Sequence, residues 1–209
     1  MSFWNIERYH LRMAIIGIGL LPDQLTARQL IDFQHRWLHV FKGPPLDLES
    51  RVPHLTLYQF PVDASQIPDL PPNIPSGSAE WGDLVSHPLD WGFAEVSKDW
   101  FLTDAHRYVV NELFPHVDRV QLKDESELIG YLSSERLQYL TMGYRYGGVA
   151  FKPHVSLGRL TPDDLKSRPE MVDDFQRMFT GRAVHFGDAF LYRAGERGSV
   201  DSILKESAR

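Results

Sequence analysis

Arg51-Val-Pro-His54-Leu-Thr56-Leu57 and Phe151-Lys-Pro-His154-Val-Ser156-Leu157-Gly-Arg159 are two versions of one segment. Five consecutive positions agree in character: Pro, His, a branched apolar residue, a hydroxyl residue and Leu. One His-x-Thr/Ser is common in any chain, but two with matching flanks point to a duplicated device. Each segment reads as a β-strand, in which residues i and i+2 project from one face and i+1 and i+3 from the other. His54 therefore points with Thr56, and His154 with Ser156. Leu55, Leu57, Val155 and Leu157 face the opposite way and anchor each strand against helices.

Working outward, the run Met13 to Leu21 is apolar and rich in β-branched residues, so it reads as a buried strand. It is too short to span a bilayer and lacks a small-residue cleavage site, which makes the cytoplasm the default location. Pro22-Asp23 opens a helix to about Phe41 with apolar residues at Leu25, Leu30, Phe33, Trp37 and Leu38, and Gly43-Pro44-Pro45 stops it. The first motif then lies on a strand from Pro53 to Phe60, giving β-α-β. Residues 61–80 hold five prolines and are expected to form an irregular connection.

The same order recurs beyond it. Trp91 to Ser97 reads as a strand, Thr103 to about Phe114 as a helix capped by Thr103 or Asp104, and Val149 to Leu160 as the second motif strand. About 61 residues separate Phe93 from His154, against about 38 from Ile16 to His54, so the second half carries an insertion near residues 118–142. Asp124 to Leu137 within it suggests a short amphipathic helix. Thr161-Pro162-Asp163-Asp164 starts a helix that should run to about Thr180-Gly181, followed by a closing strand from Ala183 to Arg193 and a polar, partly disordered tail from Gly195.

With 209 residues, 43% apolar and 24% charged, the chain suits one ordinary globular domain. A net charge of −6 argues against a duplex-DNA coat or a membrane-surface binder, since both need excess Lys and Arg. The absence of cysteine excludes a disulfide framework, a thiolate nucleophile and a Cys-based zinc site. Yet residues 50–62 and 141–160 contain no Asp or Glu and hold Arg51, Arg145, Lys152 and Arg159, a local setting for an anion.

Two His-hydroxyl pairs in one cleft suit phosphodiester chemistry. Imidazole titrates near pH ~6.5, so one ring can accept a proton from the attacking oxygen while the other, charged, gives one to the departing oxygen. The hydroxyls of Thr56 and Ser156 can donate to non-bridging oxygens where charge develops. No metal or other cofactor is required by this scheme. Arg159 and Lys152 are candidate phosphate contacts, and Tyr146 and Tyr192, near the second motif or on the closing strand, are candidates for stacking on a base.

On these two motifs the chain resembles the 2H phosphoesterase superfamily, and in style the bacterial RNA 2′,3′-cyclic phosphodiesterases, also called 2′-5′ RNA ligases. The likeness runs from about Met13 to Arg193. It implies an α+β fold of two pseudo-two-fold lobes, about 12–60 and 83–193, in a single domain with two antiparallel sheets lining a central cleft and helices outside. It implies metal-independent attack on a cyclic or 2′-5′ phosphodiester of an RNA end or small nucleotide, with His54 and His154 as acid and base and Thr56 and Ser156 on the phosphate; separately, a monomer is expected, with no duplex-DNA or membrane partner. Hydrolysis of cyclic oligonucleotide signals, ligation by the same residues in reverse, and a non-catalytic nucleotide-binding module are the competing readings. Gln59 stands where Arg159 stands in the second motif, so the cleft is expected to be electrically lopsided.

Other histidines carry less. His35 and His39 have the i,i+4 spacing of two metal ligands but no evident third. His10, His87, His106, His116 and His185 lack a repeated context and read as surface or packing residues.

Overall fold

The computed structural model describes residues 13–87, 90–195 and 199–207. Strand β1, Met13–Pro22, buries Ala14, Ile16, Ile18 and Leu20 on one face, as the apolar run dictates. Helix α1, Gln24–Arg36, starts where the Asp23 carboxylate accepts the Thr26 N–H at 3.0 Å, and it lays Leu30 and Phe33 into that core. Strand β2, Leu55–Asp63, carries the first motif and runs antiparallel to β1. Then come β3, Gly77–His87, β4, Trp91–Val96, and helix α2, Trp100–Leu113. After the insertion, with helix α3 at Ser133–Met142, strand β5, His154–Arg159, carries the second motif. Helices α4, Pro162–Ser167, and α5, Pro169–Met178, lead to β6, Ala183–Ala194, and β7, Val200–Glu206. Among the described residues no helix is long and apolar enough to cross a membrane.

The fold is α+β, and every strand pairing among the described residues is antiparallel. The strands expected as two sheets are hydrogen-bonded into one, in the order β1-β2-β5-β4-β3-β6-β7, with β1 also paired to β6. β6 makes this possible because it is long. One edge takes β1 from Phe186 to Arg193, while the other takes β3 up to Phe186 and β7 from Phe190 onward. A single pair, Leu55↔Val155, joins β2 to β5 and completes the ring. The two stretches expected as lobes thus share β6. Outside the sheet, the buried carboxylate of Asp174 on α5 accepts from Arg36 at 2.6 Å, Trp37 at 3.1 Å and Arg177 at 2.5 Å, tying α1 to α5.

Several expected boundaries move for identifiable reasons. The stretch 61–80 is irregular only over 64–76, because β2 continues to Asp63 and β3 begins at Gly77. Helix α1 ends at Arg36, not Phe41, and α2 begins after Asp99 rather than at Thr103 or Asp104. The helix of the insertion lies at 133–142, with 3₁₀ turns at Arg119–Gln121 and Glu125–Glu127 before it, and it is not amphipathic as expected: its one buried residue is Glu135, while Leu137 and Leu140 are exposed. The helix after the second motif does start at the Thr161 cap, but Pro169 breaks it: Arg168 takes φ −133° and ψ 60°, non-helical as a residue before proline tends to be. The described part of the tail is the strand β7 and not a disordered end. His10 and the residues before Met13 lie outside the described residues.

The alternate face of β1 matters most. Gly17 pairs with Tyr192 and Gly19 with Phe190 on β6, while Gly19 also pairs with Thr56 on β2. A Cβ at Gly17 would lie 2.1 Å from Tyr192 Cζ, and one at Gly19 2.7 Å from Phe190 and 3.2 Å from His54. Glycine inside a strand usually weakens it, and here it makes room for rings that cross β1 towards the first motif. Gly17→Ala should destabilise the fold by about 1–3 kcal/mol through overpacking. Gly187→Ala, whose Cβ would meet nothing nearer than 3.5 Å, should cost less than about 1 kcal/mol. Denaturant melts of the two variants check this, and equal midpoints would show that the Tyr192 ring is not confined.

Candidate active site

Both motif histidines sit at strand starts, His54 one residue before β2 and His154 at the first position of β5. Their rings are held alike. His54 Nδ1 lies 2.9 Å from the Val52 carbonyl and His154 Nδ1 2.7 Å from the Lys152 carbonyl, in each case the carbonyl two residues upstream. The intervening Pro53 and Pro153 explain the arrangement. Proline biases the residue before it to extended backbone and offers no N–H of its own. A carbonyl only accepts, so Nδ1 carries the hydrogen in both rings, and Nε2 is the lone pair of the neutral form.

The Leu55↔Val155 pair sets the two motifs face to face. In that register His54 stands across from Ser156 and Thr56 across from His154, so each histidine is opposite the hydroxyl residue of the other motif. Thr56 and Ser156 are half-buried, while Leu55, Leu57, Val155 and Leu157 are fully buried on the opposite face, as the two-residue period requires. The local two-fold axis passes between Leu55 and Val155.

Around this symmetric centre the surroundings differ. His54 is buried between the edges of Phe190 and Tyr192, and its Nε2 is 3.3 Å from the Tyr192 hydroxyl, which also lies 3.1 Å from Thr56 Oγ1. Burial raises the Tyr192 phenol to about 12, so it is a hydrogen-bond donor at neutral pH. His154 stacks on Phe93 with centroids 3.9 Å apart and meets the edge of Tyr146 at 5.2 Å. Among the described residues its Nε2 makes no hydrogen bond. Behind Tyr146, Arg145 donates to the Tyr146 hydroxyl and lies over the Tyr131 ring, and its Nη2 is 3.2 Å from His87, which in turn is 3.2 Å from the buried Glu135 of α3. The insertion thus reaches the site through Glu135.

Burial pushes the His154 imidazole down to about 4, opposed by the Lys152 carbonyl and helped by the charge of Arg145. Burial also lowers His54, opposed by the Val52 carbonyl. Both rings are therefore neutral at pH 7 before substrate arrives.

The remaining expected site residues divide. Arg159 lines a cavity of about 360 Å³ that also includes His54 and Ser156. The Lys152 side chain is exposed, and its contribution to the site is its carbonyl. Tyr146 and Tyr192 are 5% and 0% exposed, so neither presents an open ring face for a base; Tyr192 acts instead through its hydroxyl. Residue types alone did not single out Lys42, Trp91, Phe93 or the paired Gly17 and Gly19; the Gly-x-Gly spacing inside an apolar strand was the one available signal. His35 is bonded to the Leu46 carbonyl at 3.0 Å. His106 is a buried clamp: Nδ1 donates to Leu57 in β2 at 2.7 Å, and Nε2 accepts from the Gly148 N–H at 2.9 Å.

Together these features set two histidines and two hydroxyl residues beside one another on neighbouring antiparallel strands of an α+β fold. No family model and no curated protein matches the chain. Among solved structures it is similar to Escherichia coli LigT, in the crystal structure of that protein complexed with phosphate, with a TM-score of 0.44 and 12% identity over 93% of this chain and 96% of that one.

Because the folded pKa of His154 lies below its ordinary value, the unfolded chain binds the extra proton and stability falls with acid. The shift from 6.5 to about 4, at about 1.4 kcal/mol per unit, corresponds to up to about 3 kcal/mol, lost progressively as pH drops from 6.5 to about 4. Proton NMR titration should find both motif histidines below 6.5, and His154→Gln should flatten this part of the stability profile. A His154 midpoint at or above 6.5 would contradict it.

Proposed function

We propose that the protein is a metal-independent phosphodiesterase acting on a 2′,3′-cyclic or 2′-5′ phosphodiester of RNA or a nucleotide. The observation that carries the reading is the matched pair of imidazoles, each with Nδ1 locked on an upstream carbonyl and each set across from a hydroxyl of the other motif. One neutral Nε2 takes the proton of the attacking water as the new oxygen–phosphorus bond forms. The other, protonated, delivers its hydrogen to the ribose oxygen as the old bond breaks, leaving a phosphomonoester. Thr56 and Ser156 donate to the non-bridging oxygens, whose charge grows in the transition state.

The depressed pKa values shape this scheme. In the free protein both rings are neutral at pH 7, so the acid must acquire its proton as the anionic phosphate binds beside it. A bell-shaped dependence of kcat/KM on pH follows, with its acid limb near about 4 and its alkaline limb below 6.5. The profile of kcat should lie at higher pH, because the bound phosphate favours the imidazolium.

The test is a panel of nucleoside 2′,3′-cyclic phosphates and 2′-5′ dinucleotides, assayed with EDTA and with product analysis. His54→Ala and His154→Ala should each lower kcat by about 10²–10⁴-fold while circular dichroism stays unchanged. Full turnover in both single variants, or a monotonic pH profile, would refute the two-histidine mechanism.

A further inference from the structure

The cavity beside the reacting centre holds an unusual charge arrangement. Lys42 and Arg159 form an isolated antiparallel bridge, exchanging both backbone hydrogen bonds at 3.0 Å. Residues directly opposite in such a pair project to the same side, and like charges placed so repel. A third cation, Arg51, stands on the same cavity three residues before His54. Among the described residues none of the three makes an ion pair, and the lining contains no Asp or Glu. Of the nearby carboxylates, Asp164 lies within the field of Lys42 without forming an ion pair with it, and both Asp47 and Asp164 are held by hydrogen bonds within their own segments. Asp47 accepts the backbone N–H groups of Glu49, Ser50 and Arg51, and Asp164 is bonded within the Thr161 cap. Trp91 gives the cavity an aromatic wall, and Val52 and Val200 are apolar parts of its lining.

We propose that this cavity is a second anion subsite, which binds a phosphate on the 5′-oxygen of the same nucleoside whose 2′ or 3′ phosphodiester reacts. The substrate class is then a nucleotide or oligonucleotide end bearing two phosphates. This rests on the phosphodiesterase reading and narrows it. His54 and Ser156 are common to the cavity and the reacting centre, so a ligand in one is continuous with a ligand in the other. A phosphate between Lys42, Arg51 and Arg159 relieves their mutual repulsion and accepts charge-assisted hydrogen bonds from all three. The volume of about 360 Å³ lies within the range of small-ligand sites.

Adenosine 2′,3′-cyclic phosphate and its 5′-phosphorylated form are the probes. The expected kcat/KM is higher for the 5′-phosphorylated compound by about ten-fold or more. That ratio should fall towards one at high salt and in both Lys42→Ala and Arg51→Ala. Hydrolysis of both compounds at equal kcat/KM overturns the subsite and leaves the chemistry standing. If neither is hydrolysed, the phosphodiesterase reading fails for this linkage, and calorimetry with the same compounds decides the subsite separately. Tighter binding of the 5′-phosphorylated form that is lost in both variants upholds it; equal binding, or none, overturns it.

Discussion

The ring of Tyr192 lies over a strand position where no side chain larger than hydrogen fits, and the site is built outward from that close approach. β1 runs between β2, which follows His54, and β6, which bears Tyr192. With Gly17 and Gly19 on the face between them, the rings of Tyr192 and Phe190 reach across β1 to enclose His54. The opposite face of β1 is filled by Ile16, Ile18 and Leu20, so one strand serves as a core wall and as a floor for the side chains around His54.

The duplicated motif and its unequal surroundings do different jobs. Repetition of Pro-His-x-Thr/Ser-Leu gives both rings the same tautomer and, through Leu55↔Val155, the same relation to a hydroxyl. The surroundings then separate them. His54 rests against a phenol and aromatic edges, whereas His154 lies on Phe93 within the field of Arg145. A symmetric frame with asymmetric walls suits a reaction in which one imidazole gains a proton while the other gives one up.

Much of this was legible because strand period and proline act locally. The faces of the motif strands, the buried first strand, the Thr161 cap and the closing strand all follow from a few neighbouring residues. What escaped depends on partners distant in sequence. β3 contains a register shift between Trp81 and Leu84, which breaks the two-residue rhythm that marks a strand, and it begins just after a proline-rich stretch. β7 is held by β6 along one side and has no apolar alternation of its own, with Val200 its one buried residue. Lys42 reaches the site only through its bridge to Arg159. Tyr192 was recognisable as near the motifs, but whether its face or its hydroxyl is offered depends on how closely β1 approaches.

His106 joins the backbone of the first motif strand to the segment leading into the second, donating with one ring nitrogen and accepting with the other. Only a neutral imidazole can do both. Once protonated, Nε2 becomes a donor aimed at the Gly148 N–H, two like dipoles meeting in a buried space. Burial lowers the affinity of this ring for that proton, helped by the charge of Lys98 and opposed by the hydrogen bond to Leu57. The link between the first motif strand and the approach to the second thus depends on a hydrogen that is absent, and the fold keeps its gauge by keeping His106 uncharged.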